Sequence, residues 1–181
     1  MALAPTLWRT CRVLAGATRL ALLRLIIESP DLRVADLAAL AGLSESRTSQ
    51  ELRRLQARGL VQALRAGAAV SYRPVPDPLV ASAKPLLAAV KTALAKYPAD
   101  VTIRVAKAFG HERRLLVVRT LVKGPCGFTE LATAAAMSEM ALFRHLQVLQ
   151  AGQMVRQGKR GWELAPPAHP LVQAMLRLLA D

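Results

Sequence analysis

Apolar residues in the first part of the chain recur at the three- and four-residue spacing of amphipathic helices, and turn-forming residues separate the segments. The pattern predicts helices over residues 6–15, 18–28 and 35–41. Pro30 closes the second segment, because proline is incompatible with a helix interior, and Gly42 closes the third as a C-terminal cap. We therefore expect a mainly helical chain.

A fourth helix is expected to begin after Ser44, because a serine side chain there can accept a hydrogen bond from the backbone of the first helical turn. Glu45 in that turn also suits the positive end of the helix dipole. Thr48, Leu52 and Leu55 then fall on one face of the helix, which predicts that this face is buried.

Two short segments with strand character, residues 61–64 and 69–73, follow this helix. They flank the turn-forming residues 65–68, so they predict a β-hairpin. A last helix is expected from about Pro78 to Lys96, where apolar residues again recur at helical spacing.

The segment around the fourth predicted helix occurs twice in similar form. LSESRTSQELRRLQARGLV begins at Leu43, and MSEMALFRHLQVLQAGQMV begins at Met137. The displacement of 94 positions becomes 95 upstream and 92 downstream, at turns that tolerate insertions. Such self-similarity predicts a duplicated domain, with a first domain at 1–97 and a second at 98–181. Asp100, just after the junction, is expected to be a helix N-cap.

The second domain is expected to contain the same elements in the same order as the first. They are predicted at residues 101–108, 112–122, 129–135, 138–151, 154–164 and 170–179, of which 154–164 forms the hairpin. The linker is so short that the two domains are expected to pack against each other rather than move independently.

Several motifs resemble those of ArsR-type transcriptional regulators. Residues 14–23, LAGATRLALL, are similar to the second-helix signature of that family, and residues 36–38 with 43–55 resemble its helix-turn-helix. Gly59-Leu60-Val61 resembles the start of its β-hairpin wing, and residues 144–149 give a looser match in the second copy. The resemblance implies a mainly α fold with small β-hairpin wings, arranged as tandem winged helix-turn-helix domains.

In ArsR-type dimers the first and last helices of two chains pack together, so the resemblance implies an intrachain pseudo-dimer here. Apolar stripes on the last helix of each copy agree with this arrangement; they contain Leu86, Leu87, Val90 and Leu94 in the first copy and Leu171, Met175, Leu178 and Leu179 in the second. Alternatively, each stripe covers its own domain alone. The resemblance further implies a repressor, and whether whole chains form a homodimer stays open.

The charge of the chain points to a polyanionic partner. Lys and Arg number 25 against 12 Asp and Glu, which gives a net charge of +13 and an isoelectric point near 11.2. The excess is +7 over residues 1–100 and +6 over residues 101–181, so it is not a basic tail. Double-stranded DNA is therefore the expected partner, ahead of an anionic membrane surface.

Side chains suited to DNA lie on the exposed faces predicted for the two recognition helices and on the wings. The candidate DNA-binding residues are Ser44, Ser46, Arg47, Ser49, Gln50, Arg53, Arg54, Arg65, Arg73, Arg144, Gln147, Arg156, Lys159 and Arg160. Arginine can pair with guanine and glutamine with adenine, while wing cations hold phosphates. The alternative is an ordinary solvated helix face, where charged residues are also common.

The second recognition helix replaces several of these polar residues with Met140, Phe143 and Val148. Exposed apolar side chains more often mark a protein contact or burial than a contact with thymine. We therefore expect the first domain to read bases and the second to hold phosphates through its wing. The alternative function is a tandem winged-helix adaptor for protein partners, with at most non-specific DNA binding.

No cofactor, metal site or catalytic constellation is expected from the sequence. Cys11 and Cys126 are too few for a disulfide framework, and no histidine lies at ligand spacing from a cysteine or another histidine. No uncharged run approaches the ~18 residues of a membrane span. We expect a cytoplasmic, non-enzymatic protein whose effector, if it has one, the sequence does not identify.

Overall fold

The computed structural model describes residues 7–67 and 69–180, so the predicted helix start at Thr6 and the hairpin residue Ala68 lie outside it. The helices and strands of the first part follow the expected order. They are α1 (Leu7–Leu14), α2 (Ala17–Glu28), α3 (Val34–Ala41), α4 (Glu45–Gln56), β1 (Gln62–Ala66), β2 (Ala69–Arg73) and α5 (Ala83–Lys96). The prediction of a mainly helical chain with a hairpin between α4 and α5 is confirmed.

The same order of elements recurs in the second part. They are α6 (Ala99–Phe109), α7 (Glu112–Val122), α8 (Phe128–Ala134), α9 (Glu139–Ala151), β3 (Val155–Gly158), β4 (Gly161–Leu164) and α10 (Pro170–Ala180). Helices dominate, and the described strands form two antiparallel pairs, β1 with β2 and β3 with β4. Helices combined with small antiparallel hairpins are consistent with a winged helix.

Helices α4 and α9 each begin after a serine N-cap, as predicted for Ser44. The hydroxyl oxygen of Ser44 accepts a hydrogen bond from the backbone nitrogen of Arg47 at 3.3 Å, and Ser138 accepts one from Ala141 at 3.3 Å. Gly42 ends α3 with φ at +63°, a conformation that glycine adopts without steric cost. Gly42 and Ser44 therefore fix the turn between α3 and α4.

Two sequence predictions at helix starts are wrong. Helix α5 begins at Ala83 rather than at Pro78, because the Asp77 carboxylate accepts a hydrogen bond from the Leu79 amide at 2.9 Å and holds the intervening residues in turns. Asp100 is not the cap of α6; Pro98 occupies that position, and Asp100 lies inside the helix. Its carboxylate pairs with Arg104 one turn later, at 2.6 Å.

Each hairpin is joined to the segment that precedes a short helix. Arg33, just before α3, forms a bridge with Ser71 of β2, and Cys126, before α8, forms one with Trp162 of β4. In the second case the backbone nitrogen of Cys126 donates to Trp162 at 2.9 Å, and the nitrogen of Trp162 donates back at 2.8 Å. These bonds hold each hairpin against the helical body.

One continuous apolar core joins the two parts of the chain. Helix α6 packs against α1, α2 and α5 from the first part and against α7, α9 and α10 from the second. Its residues Val105, Ala106 and Phe109 are buried, and α10 also packs along α5. The core therefore requires elements from both parts.

Both cysteines are buried in this core. The Cys11 sulfur lies 3.4 Å from the Met175 sulfur, and burial raises the pKa of the Cys11 thiol to about 12. Burial also raises the pKa of Cys126, with a further rise from a hydrogen bond to Glu130. Neither thiol is ionised near neutral pH, so the cysteines act as small apolar residues.

His169 connects α6 to the start of α10 from a buried position. Its Nδ1 accepts a hydrogen bond from the Leu171 amide at 3.2 Å, and its Nε2 lies 3.4 Å from the Thr102 hydroxyl. Burial lowers the pKa of His169, because a charged ring in the core would lack the hydration that stabilises it in water. A doubly protonated ring would also lose the Nδ1 acceptor.

We expect Gly161→Ala to destabilise the protein more than Gly42→Ala. Both residues have positive φ, which costs alanine about 1–2 kcal/mol. A Cβ at position 161 would in addition lie 2.4 Å from the carbonyl oxygen of Cys126, whereas nothing lies within 4 Å of a Cβ at position 42. Urea unfolding should give a loss at least ~2 kcal/mol larger for Gly161→Ala. Equal losses would contradict the close approach.

We expect the free energy of unfolding to fall as the pH drops below about 6.5, the pKa of histidine in an unfolded chain. The folded pKa values of His111, His145 and His169 are all lowered, so the unfolded state binds protons first. For the buried His169 each pH unit of lowering contributes about 1.4 kcal/mol, whereas the more exposed His111 and His145 contribute less because water screens their charge. Urea titrations at pH 7.5 and 5.5 measure the loss. His169→Asn, which keeps an uncharged acceptor, should reduce it; an unchanged loss would exclude His169 as a source.

Candidate nucleic-acid interface

Helix α4 has one face in the core and one face in solvent. Thr48, Leu52 and Leu55 are fully buried, as predicted, because α2 and α3 pack against this side of the helix. Among the polar residues of the opposite face, Ser46 and Gln50 are exposed. The helix is thus anchored through its apolar side and presents its polar side outward, which is the geometry that a recognition helix needs.

Two arginines on the exposed side of α4 are available for a ligand. The guanidinium groups of Arg47 and Arg53 are exposed and form no hydrogen bond or ion pair with any residue in 7–67 or 69–180. Arg54, in contrast, pairs with Glu51 at 2.9 Å. Arg47 and Arg53 can therefore turn toward base edges without breaking an internal contact.

A cleft of about 410 Å³ separates α4 from the first hairpin, and we call it the hairpin cleft. Ser49, Arg53 and Gln56 line it from the helix, and Arg65 and Tyr72 line it from the strands. Ser49 is half-buried there, unlike the other predicted DNA-binding residues, which are exposed. Arg53 and Arg65 come from different elements but line one space, with Arg65 at its hairpin side.

Arg73 is exposed but already has a partner within the chain. One of its terminal nitrogens donates to the Asp31 carboxylate at 2.9 Å, and this hydrogen bond and charge lower the pKa of Asp31. Asp31 stands in the turn after α2, with φ at +72°, and its amide faces the Tyr72 carbonyl. The pair ties β2 to that turn. A contact between Arg73 and phosphate stays a prediction.

The outer face of α9 is more apolar than that of α4. Met140 is 63% exposed and Phe143 is 51% exposed, whereas Val148 is only partly exposed. Arg144 and Gln147 also point outward. The structure thus leaves two large apolar side chains on this helix without a covering element among the described residues.

The second hairpin carries three basic residues in two different states. Arg156 pairs with Glu163 across the strands at 2.7 Å. Lys159 and Arg160 lie in the turn, exposed, and their side chains have no ion-pair partner in the described part of the chain. These two residues are therefore the cations at the tip of this hairpin that an external phosphate can reach.

Sequence reasoning missed Glu51, which organises the side of α4 next to α1. Its carboxylate pairs with Arg19 at 2.8 Å and with Arg54 at 2.9 Å. Burial raises the pKa of Glu51, but the hydrogen bonds and charges of the two arginines outweigh burial and lower it. The spacing of Glu51 and Arg54 on one helix was a usable signal, whereas Arg19 lies 32 residues away.

The second copy keeps the arginine but not the acid. Arg19 donates from Nε to the Val13 carbonyl at 2.6 Å, and Arg114 donates in the same way to Ala108 at 2.6 Å. His145 replaces Glu51 at the repeat position, and its ring lies 4.8 Å from the ring of His111. The contact that closes the preceding helix is thus common to both copies, and the ion pair is not.

The described residues contain neither a metal-binding cluster nor a membrane-spanning helix. Residues 7–67 and 69–180 contain no group of three or more His, Cys, Asp or Glu side chains that could hold a metal ion. Within the same residues, no helix has both the length and the apolar character needed to cross a membrane.

Comparison with protein families gives one match. The model of the MarR family, a winged helix-turn-helix family, matches residues 16–68, which is less than a third of the chain and runs from α2 into the first hairpin. No curated protein matches the sequence. The matched model is not the ArsR-type family that the motifs resemble, and it covers one copy of the repeat. The chain therefore carries a winged helix-turn-helix of the kind found in DNA-binding transcription regulators.

Proposed function

We propose that this protein is a sequence-specific DNA-binding transcriptional regulator in which α4 is the main base-reading element. The main support comes from the outer side of α4, where Arg47, Gln50 and Arg53 are exposed. Neither arginine side chain has a hydrogen-bond or ion-pair partner among the described residues. A helix of this kind fits the major groove, where arginine pairs with guanine and glutamine with adenine. The protein acts by binding and carries out no reaction.

Phosphate contacts from the two hairpins would supply most of the affinity. The first hairpin offers Arg65 at the hairpin cleft, and the tip of the second hairpin offers Lys159 and Arg160. Each neutralised phosphate releases counterions, so binding should weaken steeply as salt rises. The net charge of +13 supports this mode of association.

We also propose that the chain is a tandem winged-helix protein whose domains, 1–97 and 98–181, form an intrachain pseudo-dimer. The repeated order of elements supports this division, and so does the packing of α1 on α6 and of α5 on α10. These are the first and last helices of each copy, as the ArsR-type resemblance implies. A repressor would follow if the DNA site overlaps a promoter.

A second candidate function rests on α9. Met140 and Phe143 remain exposed on a helix whose counterpart, α4, is polar at the outer surface. Large exposed apolar side chains favour a protein partner. In this alternative the chain is an adaptor and binds DNA without sequence preference.

We expect Arg47→Ala to weaken binding to the preferred DNA sequence by about 1–3 kcal/mol and to have little effect on random DNA, because a base contact is lost. The site is first obtained by selection from random duplexes, and binding is then measured by fluorescence anisotropy. Lys159→Ala is the matched control, since it removes one charge from a phosphate contact and should weaken both duplexes alike. Equal losses on both duplexes for Arg47→Ala would remove Arg47 from the base-reading set.

The selected DNA site should itself be asymmetric. Helix α4 presents Arg47, Gln50 and Arg53, whereas α9 presents Met140 and Phe143 at its outer face, so the two copies cannot read equal half-sites. Sequencing of the selected duplexes measures this directly. A clean inverted repeat, bound by one chain, would contradict the division of roles between the two helices.

A further inference from the structure

A second cleft lies beside α4, on the side away from the hairpin, and we call it the arginine cleft. It has a volume of about 590 Å³ and is formed by α1, the start of α2 and the C-terminal end of α4. Its walls carry Trp8, Arg9, Arg12, Arg19, Arg54 and Arg58. Arg54 is among the residues predicted from the sequence to bind DNA, whereas no role was predicted for the other arginines.

Positive charge in the arginine cleft is mostly uncompensated. Glu51 is the one carboxylate that pairs with these arginines in the described part of the chain, and it serves both Arg19 and Arg54. Five guanidinium groups facing one carboxylate leave four positive charges in excess. Like charges held this close repel, so an anion in the cleft would be bound favourably.

The arginines of the cleft are held in two ways. Arg19 is fixed by the Val13 carbonyl and by Glu51, and Arg54 by Glu51. Arg9 lies over the ring of Trp8, with its guanidinium carbon 5.2 Å from the ring centre. Arg12 and Arg58 have no ion-pair partner among residues 7–67 and 69–180. A partly pre-ordered set of guanidinium groups suits phosphate, which accepts hydrogen bonds from such groups in pairs.

The two clefts lie on opposite flanks of the edge that would read bases. Successive residues of a helix are rotated by about 100°, so Arg53 and Arg54 leave α4 on opposite sides of Gln50. Arg53 lines the hairpin cleft and Arg54 lines the arginine cleft. A helix about 10–12 Å wide fills a major groove about 12 Å wide, so its two flanks face the two DNA strands.

We propose that the arginine cleft binds the phosphodiester backbone of the DNA strand opposite the one that faces the hairpin cleft. This inference rests on the proposed function, because it assumes that α4 enters the major groove. Arg9, Arg12 and Arg58 supply the charge that faces the strand, and Glu51 positions Arg19 and Arg54. Together the two clefts hold α4 from both sides and fix how far it enters the groove.

The second copy does not reproduce this cleft at the corresponding positions. Val148 stands where the first copy has Arg54, and His145 where it has Glu51. Arg104 corresponds to Arg9, but its guanidinium pairs with Asp100 at 2.6 Å. Lys107 corresponds to Arg12 and keeps the charge. The arrangement is therefore particular to the copy whose recognition helix carries the free arginines.

The test compares Arg12→Ala with Lys107→Ala, which removes the same charge at the corresponding position of the repeat. Binding to the selected duplex and to a scrambled one is measured by anisotropy between 50 and 200 mM salt. Loss of one phosphate contact should lower the slope of log K against log salt by about 0.9. We expect that change, with several-fold weaker binding to both duplexes, for Arg12→Ala and a smaller change for Lys107→Ala. Urea unfolding checks that both variants stay folded.

The same measurements separate loss of the strand contact at the arginine cleft from loss of sequence-specific DNA binding. If the unaltered protein binds neither duplex, or binds both equally, the proposed function fails. If it prefers the selected duplex but Arg12→Ala and Lys107→Ala give equal slopes, the arginine cleft does not hold a strand. Arg9→Ala is a second variant of the arginine cleft, and it should lower the slope of log K against log salt in the same way as Arg12→Ala.

A free phosphate compound is the other source of the same chemistry, and inorganic tripolyphosphate is the probe for it. Calorimetric titration measures its binding to the unaltered protein and to Arg12→Ala. Binding that requires Arg12, together with an unchanged salt slope for DNA, would assign the cleft to a free anion and overturn the strand contact. If tripolyphosphate instead displaces DNA, and Arg12→Ala weakens the binding of tripolyphosphate and of DNA by the same factor, the strand contact is supported.

Discussion

The burial of α6 against helices from both parts of the chain is the constraint on which the other features depend. Ala106 and Phe109 are fully buried there, and a Cβ added at Gly152 would lie 2.6 Å from the Cβ of Ala108, so α6 and the end of α9 approach closely. Small domains bury surface poorly on their own, and this shared core offsets that weakness. Because the apolar faces of the helices are buried in this core, the outer faces of α4 and α9 and the two hairpins remain exposed for binding.

The two copies share a helix-closing contact and differ in the ion pair beside it. The contact from Arg19 to Val13 has its counterpart from Arg114 to Ala108, because it closes a helix and is needed for the fold in both places. Glu51, by contrast, has no acidic counterpart, and its replacement leaves Arg114 paired with backbone carbonyls. The helix-closing contact is thus repeated, whereas the Glu51 ion pair beside α4 is particular to the first copy.

Local signals in the sequence predicted most of the fold, since glycine caps, serine caps and apolar spacing act within a few residues. The start of α5 was missed because a side chain, Asp77, captures a backbone amide and outweighs the helical pattern after Pro78. The candidate site was predicted less completely. The partner of Arg73 lies 42 residues away and that of Arg19 lies 32 residues away, so spacing alone could not reveal which arginines are already paired.

The packing of α1 on α6 and of α5 on α10 within one polypeptide also has a consequence for mass action. Two binding surfaces that belong to separate chains come apart on dilution, so their joint occupancy of a site depends on the square of the monomer concentration when the dimer is weak. Covalent continuity removes that dependence, because the second surface is always present at a fixed effective concentration. In the pseudo-dimer proposed above, occupancy of a DNA site would therefore depend on the first power of the protein concentration.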